Sequence, residues 1–230
     1  MILKNNFKFQ ISNSKSISND KKFNLILKNM NIKAVVFDAD GVVINSPGYF
    51  SVQYQKDFNV SNDVMLPFFK GKFQECLVGE ADLKKELKPL LKEWKWQGGV
   101  EELLKYWFEA EHYIDDRAIT EIKRLREKGI KCYLGTKQEK YRMKYIEEDM
   151  GLGAFFDGIF SSSNIGYKKP NERFYDSIAS VLEKTEKIKP ENILFWDDKK
   201  ENVDGANGCG WNAFLFASFN DFKKRMDDIF

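Results

Sequence analysis

Residues 32–37 are apolar except for Lys33, and Asp38-Ala39-Asp40-Gly41 follow at once. A run this short and apolar has no polar face to give to water. It reads as a strand buried on both sides, the habit of a parallel sheet. Residues 131–135, 158–161, 192–196 and 211–216 read as four more strands. Helix-period segments lie between them, at 116–128, 139–150, 171–184 and 199–207, and Gly129 follows the first as a helix stop. Strand alternating with helix predicts an α/β fold, a Rossmann-like parallel sheet flanked by helices.

The pattern breaks between residues 48 and 113. SNDVMLPFF, EADLKKELKPLLKEW and GGVEELLKYWFE have the spacing of short amphipathic helices, punctuated by Pro67, Pro89 and Gly98-Gly99. The expected division is an α/β core at 30–46 and 114–230, with a small α-helical cap at 47–113 inserted after the first strand. A length of 230 residues and a hydrophobic share of 43% suit a core domain with such an insert.

Six lysines against one aspartate put +5 on residues 1–29, so the rest of the chain carries −3 of the total +2. The basic balance therefore belongs to the tail and gives no case for a nucleic-acid partner. That tail, rich in Asn, Lys and Ser, has neither a compact apolar signal core nor a small-residue cleavage site. It reads as a disordered extension or an over-called start before Met30, with a strand at 7–11 as the alternative. No apolar run approaches the ~20 residues of a membrane span, so no membrane partner is expected. Cys76, Cys132 and Cys209 are odd in number and widely spaced, which fits neither a disulfide framework nor a zinc site and points to a reducing, cytoplasmic setting. His112 is the one histidine, so mechanisms that need several are excluded.

Two acids at the end of a buried strand need an explanation. Ligands of open α/β sheets bind at the carboxyl ends of the strands. Asp38 and Asp40 stand at such an end, and Thr136, Lys169 and the pair Asp197-Asp198 stand at or just beyond others. Four carboxylates cannot share a small pocket unpaired, and a hard cation with oxygen ligands, most simply Mg²⁺, resolves the repulsion. A cation, a lysine and a hydroxyl together suit a phosphate group.

The order D-x-D-G, then Thr, then Lys-Pro, then Asp-Asp resembles the four motifs of the haloacid dehalogenase-like hydrolase superfamily, from Ile32 to about Phe216. The helical insert is similar to that family's small helical cap, and Gly79-Glu80 with LLKEW is similar to the branch of small sugar-phosphate phosphatases. The resemblance implies Asp38 as nucleophile and Asp40 as general acid and base. It implies Thr136 and Lys169 on the phosphoryl oxygens, with Lys169 chosen over Lys168 because the family's lysine directly precedes the proline. Asp197, Asp198, Asp38 and the backbone carbonyl of Asp40 would hold Mg²⁺. Gly41 would let the backbone turn tightly toward the phosphate. The implied activity is Mg²⁺-dependent hydrolysis of a small phosphorylated metabolite, with a sugar phosphate as one candidate. A phosphomutase or a non-catalytic regulatory phosphate-binding protein is the alternative. A dehalogenase needs neither a metal nor the second acid. A signalling receiver puts its acid pair on the first strand and its acceptor later, the reverse of the order here.

Blander roles stand beside these. D-G is a common turn, and Asp197-Asp198 also fits a helix cap. Asn202, one turn beyond Asp198, is placed to orient it. Asn45 and Ser46 read as a polar exit toward the cap, and His112 as a hinge residue. Phe68, Phe69, Phe73, Trp94, Trp96, Trp107 and Phe108 read as cap core rather than substrate-stacking rings. GTK departs from the family's usual Ser or Thr followed by Asn, and brings Lys137 near the phosphate.

Overall fold

The computed structural model describes residues 30–230. The expectations for residues 1–29 fall outside that range. In chain order the elements are β1 (Ala34–Phe37), α1 (Phe50–Phe58), α2 (Asn62–Lys70), α3 (Lys72–Cys76), α4 (Leu83–Leu87), α5 (Val100–Ala110), α6 (Asp116–Glu127), β2 (Lys131–Thr136), α7 (Lys140–Glu147), β3 (Gly158–Ser161), α8 (Ser162–Ile165), α9 (Glu172–Glu186), β4 (Ile193–Asp197), α10 (Lys200–Gly208), β5 (Asn212–Leu215) and α11 (Phe219–Ile229).

All five strands are parallel, in the order β3-β2-β1-β4-β5. β1 is central, and its AVVF sequence is buried throughout. Alternate residues feed opposite layers. Val35 and Phe37 join Ile122 of α6, Met143 of α7 and Phe222 of α11. Ala34 and Val36 join Ile178 of α9 and Val203 of α10. This two-sided burial is why the strand carries no alternating polar positions.

Helices α1 to α5 form the insert, with an apolar cluster of their own around Phe50, Tyr54, Met65, Trp94, Leu103 and Trp107. The EADLKKELKPLLKEW segment forms the short α4 and a 3₁₀ turn, Lys88–Leu90, around Pro89, since proline removes a donor and clashes with the preceding turn. α1 and α11 were not foreseen. α1 has 9 residues and a weak apolar face, whereas α11 has 11 residues and a clear one, burying Phe222 and Met226. The two linkers between insert and core pair with each other. Ile44 bridges Ile114 antiparallel, and Asn45 N–H donates to Tyr113 O at 2.7 Å. The Asn45 amide also donates to Asp115 Oδ2 at 3.0 Å, and Asp115 caps α6. The polar exit is thus a tie between the two linkers.

Candidate active site

β1 and β4 are neighbours, with Phe37 opposite Trp196. The next residue on each strand is an aspartate, so Asp38 and Asp197 stand side by side where both strands end. The sheet order reverses direction around β1, and such a switch point is where α/β sheets open a crevice.

Lys169 lies between the two carboxylates. Its Nζ is 2.8 Å from Asp38 Oδ1 and 2.6 Å from Asp197 Oδ2. All three side chains are buried. One ammonium cannot neutralise two carboxylates, and the surroundings of the two acids differ. Burial raises the Asp38 pKa above the carboxylate range, with the negative Asp197 adding to the rise and Lys169 opposing it. Burial also pushes on Asp197. There Lys169, the Asn202 amide and the Lys199 N–H outweigh it, and the net shift is downward. Lys169 itself stays charged, because the two carboxylates overcome its burial.

Asp197 is braced further by Lys199 N–H at 2.8 Å and Asn202 Nδ2 at 2.9 Å, both on Oδ1. This corrects the expectation for Asn202, which holds Asp197 rather than Asp198. The Asp197 carboxylate reaches from the strand end over the start of α10, where N–H groups are unpaired. Asp198 is left with Lys199 Nζ at 2.7 Å.

Asp40 opens to the solvent of the cleft while the walls crowd it. This crowding raises its pKa, against the pull of Arg142 and of a hydrogen bond from Gln138 Nε2 at 2.6 Å. Gln138 had no role in the sequence reading. It stands two residues beyond Thr136, the spacing that keeps side chains on one side of an extended chain. Thr136 ends β2 opposite Ser161 and is buried facing the same cleft. Lys137 is exposed at the rim.

Asp38, Asp197 and Asp198 each bring one carboxylate oxygen within 4.8 Å of the others. Gly41 allows this. Its φ is +84°, and a Cβ there would stand 2.6 Å from Asp198 Cγ and 2.7 Å from Oδ2. The glycine is therefore required both for its left-handed conformation and for the space that Asp198 fills. An all-oxygen, acidic donor set with one uncompensated buried carboxylate fits a hard divalent cation such as Mg²⁺. The side chain of Asp40 lies outside this trio and is turned to Gln138.

The cap faces this rim across a cleft of about 750 Å³. Phe69, Phe73, Trp107 and Phe108 belong to the cap cluster and also line the cleft, so they are wall as well as core. Phe68 and Trp94 are core alone. Arg142 of α7, also unforeseen, donates to Phe108 O at 3.0 Å and Glu111 O at 3.2 Å. Glu111 in turn accepts from Phe50 N–H at 2.9 Å, so one buried arginine ties both linkers to the core. His112 lies outside the cleft, with Nδ1 2.8 Å from Tyr145 OH, in keeping with a hinge position. Gly79 and Glu80 line no part of the cleft.

The chain shares 32% identity over 96 residues with the sesquiterpene phosphatase astK of Aspergillus oryzae, covering 42% of this chain and 47% of that protein. It shares 34% over 103 residues with enolase-phosphatase E1 of a Hydrogenobaculum species, covering 43% of each. Both matches span less than half of the relative. A HAD family enzyme from Bacteroides thetaiotaomicron has the same fold, with TM-score 0.73 at 16% identity over 85% of this chain and 98% of that one. The same enzyme has been solved with magnesium and inorganic phosphate, and that structure matches with TM-score 0.67 at 17% identity over 80% of this chain and 93% of that one. Among the described residues no helix is long and apolar enough to cross a membrane. The family description "haloacid dehalogenase-like hydrolase" matches residues 32–210, most of the folded chain and all of the rim residues, and the protein belongs to that family.

Proposed function

We propose that this protein is a Mg²⁺-dependent phosphomonoester hydrolase that works through an aspartyl-phosphate on Asp38. The observation that carries this reading is Lys169 held between Asp38 and Asp197, with Asp198 beside them and Asp40 on the same rim. The phosphatase names of two relatives support the reaction class, and the magnesium and phosphate in the Bacteroides enzyme support the cofactor.

An Asp38 carboxylate oxygen attacks phosphorus. A new P–O bond forms as the ester P–O bond breaks, and Asp40 passes its proton to the departing alkoxide. The crowding that raises the Asp40 pKa acts in the direction a proton donor needs. Gln138 fixes the direction of the carboxyl. Water then attacks the phosphorus of the acyl phosphate. Asp40 takes its proton, Asp38 leaves as carboxylate, and phosphate departs. Lys169 and Thr136 hold the phosphoryl oxygens throughout. Bound Mg²⁺, held by Asp38, Asp198, Asp197 and the Asp40 carbonyl, would screen the phosphoryl charge as a Lewis acid.

The test is phosphate release from an aryl phosphate with and without Mg²⁺, beside the Asp38→Asn variant. Release should depend on the metal and fall by on the order of 10⁴-fold or more in the variant, with circular dichroism unchanged. Equal turnover in the variant, or with chelator present, would sink the mechanism.

A further inference from the structure

The two ends of the cleft differ in chemistry. At the rim are Asp38, Asp40, Thr136 and Lys169. The cap, residues 47–113, contributes thirteen lining residues, of which Ser51, Gln74 and Glu111 are polar and Tyr49 carries a phenol. Most of the rest are aromatic or aliphatic, with Leu66, Phe69, Phe73, Leu77, Trp107 and Phe108 forming the wall opposite the acids. Leu66 is 41% exposed, a large aliphatic side chain turned to water on a wall of rings. Phe69 and Phe73 are half-buried beside it.

Apart from Tyr49, Ser51 and Lys137 at the cleft's outer edge, most polar groups within reach are already engaged. Gln74 accepts from Lys168 Nζ at 2.5 Å. Gln138 is held by Asp40, Arg142 by two backbone carbonyls, Glu111 by Phe50 N–H, and Ser46 by Gly48 O. A polyhydroxylated leaving group would lose its hydration against this wall and find few partners, and each unpaired polar group costs free energy. An apolar group gains from the same surface. We propose that the leaving group is apolar, and that the substrate class is the phosphomonoester of a hydrocarbon or aromatic alcohol rather than of a sugar. This rests on the phosphatase reading of the same site and narrows it.

The n-alkyl phosphates isolate the effect, because ethyl, butyl and octyl alkoxides are equally poor leaving groups and differ only in length. kcat/KM should rise along the series by up to about fourfold per methylene, the equivalent of ~0.8 kcal/mol per buried CH₂, until the cleft is full. Octyl phosphate should exceed glucose 6-phosphate by at least about tenfold. Leu66→Asn should lower the octyl-to-ethyl ratio several-fold. A flat series, or glucose 6-phosphate as the best substrate, would overturn the inference while leaving the phosphatase intact. Calorimetry with octylphosphonate and ethylphosphonate in the presence of Mg²⁺ reads the same preference without turnover. Tighter octylphosphonate binding with no hydrolysis of any ester would sustain the apolar site and sink the phosphatase. Equal binding of the two phosphonates would overturn the inference whatever the activity.

Discussion

The rim of the sheet and the interior of the cap face each other across one cleft, and opposite forces hold them. At the rim, Lys169 is clamped by Asp38 and Asp197, and the geometry is set by charge. In the cap the geometry is set by ring packing. Phe50 stacks on Trp107 at 4.8 Å and 20°, and Phe69 and Phe73 meet Trp107 edge-on and tilted at 5.4 and 5.5 Å. The rim stands on strands embedded in two apolar layers. The cap helices run from 5 to 11 residues, too short to persist alone, and depend on their shared cluster. A chain built this way can change its cap interior, and with it the substrate, while the charged rim stays fixed.

The sharpest way to strain the comparison is Lys169→Met. Activity should vanish. In chelator the variant should also lose ~3–5 kcal/mol of stability, because two carboxylates would remain buried without a counter-charge. Added Mg²⁺ should recover part of that loss if the cation shares the same carboxylates. Denaturant titration with and without metal checks both points. An unchanged midpoint in chelator would mean that the clamp does not hold the rim.

A volume change should act on the cap instead. Leu103 is fully buried in the cap cluster, and Leu103→Ala should cost ~2–5 kcal/mol. If the cap is a separate packing unit, amide exchange should rise across residues 50–110 while β1 and β4 stay protected. Equal loss of protection in both regions would show one cooperative core and break the comparison.

The sheet was legible because a doubly buried strand has a plain sequence signature, and the rim because strand ends collect the chemistry. Asp38, Thr136 and Asp197 converge for that reason, while Lys169 reaches them from the loop beyond α8 and was picked out by the resemblance. Gln138 was within reach of the same argument, being two residues past Thr136. Arg142 was not. Its partners at Phe108 and Glu111 are backbone carbonyls at the far end of the insert, which no side-chain pattern marks. The split of the aromatics into wall and core was hidden for a similar cause, since it depends on the angle at which the cap meets the rim. Asn202 was assigned to the wrong aspartate because helical spacing gives reach but not direction.

The contacts that set that angle offer the mildest test. Asp82 of the cap accepts from Lys140 Nζ at 2.6 Å and Tyr141 OH at 2.8 Å, both on α7, through Oδ2. Its Oδ1 caps α4 by accepting from Lys85 N–H. Asp82→Asn keeps the cap, since asparagine serves that position as well as aspartate, and removes the charge together with the oxygen that accepts from Lys140 and Tyr141. The pair is partly exposed, so the loss should not exceed ~1 kcal/mol. The Lys140 hydrogen bond, then that of Tyr141, hold the Asp82 carboxyl below its usual range despite some burial. A lowered folded pKa means that the contribution is complete above the unfolded value, ~3.9, and fades as pH falls through the lower folded one. The difference in Tm between wild type and Asp82→Asn should therefore stay constant from pH 8 to about pH 5 and shrink only under stronger acid. A difference that changed around neutrality would assign the latch to another group.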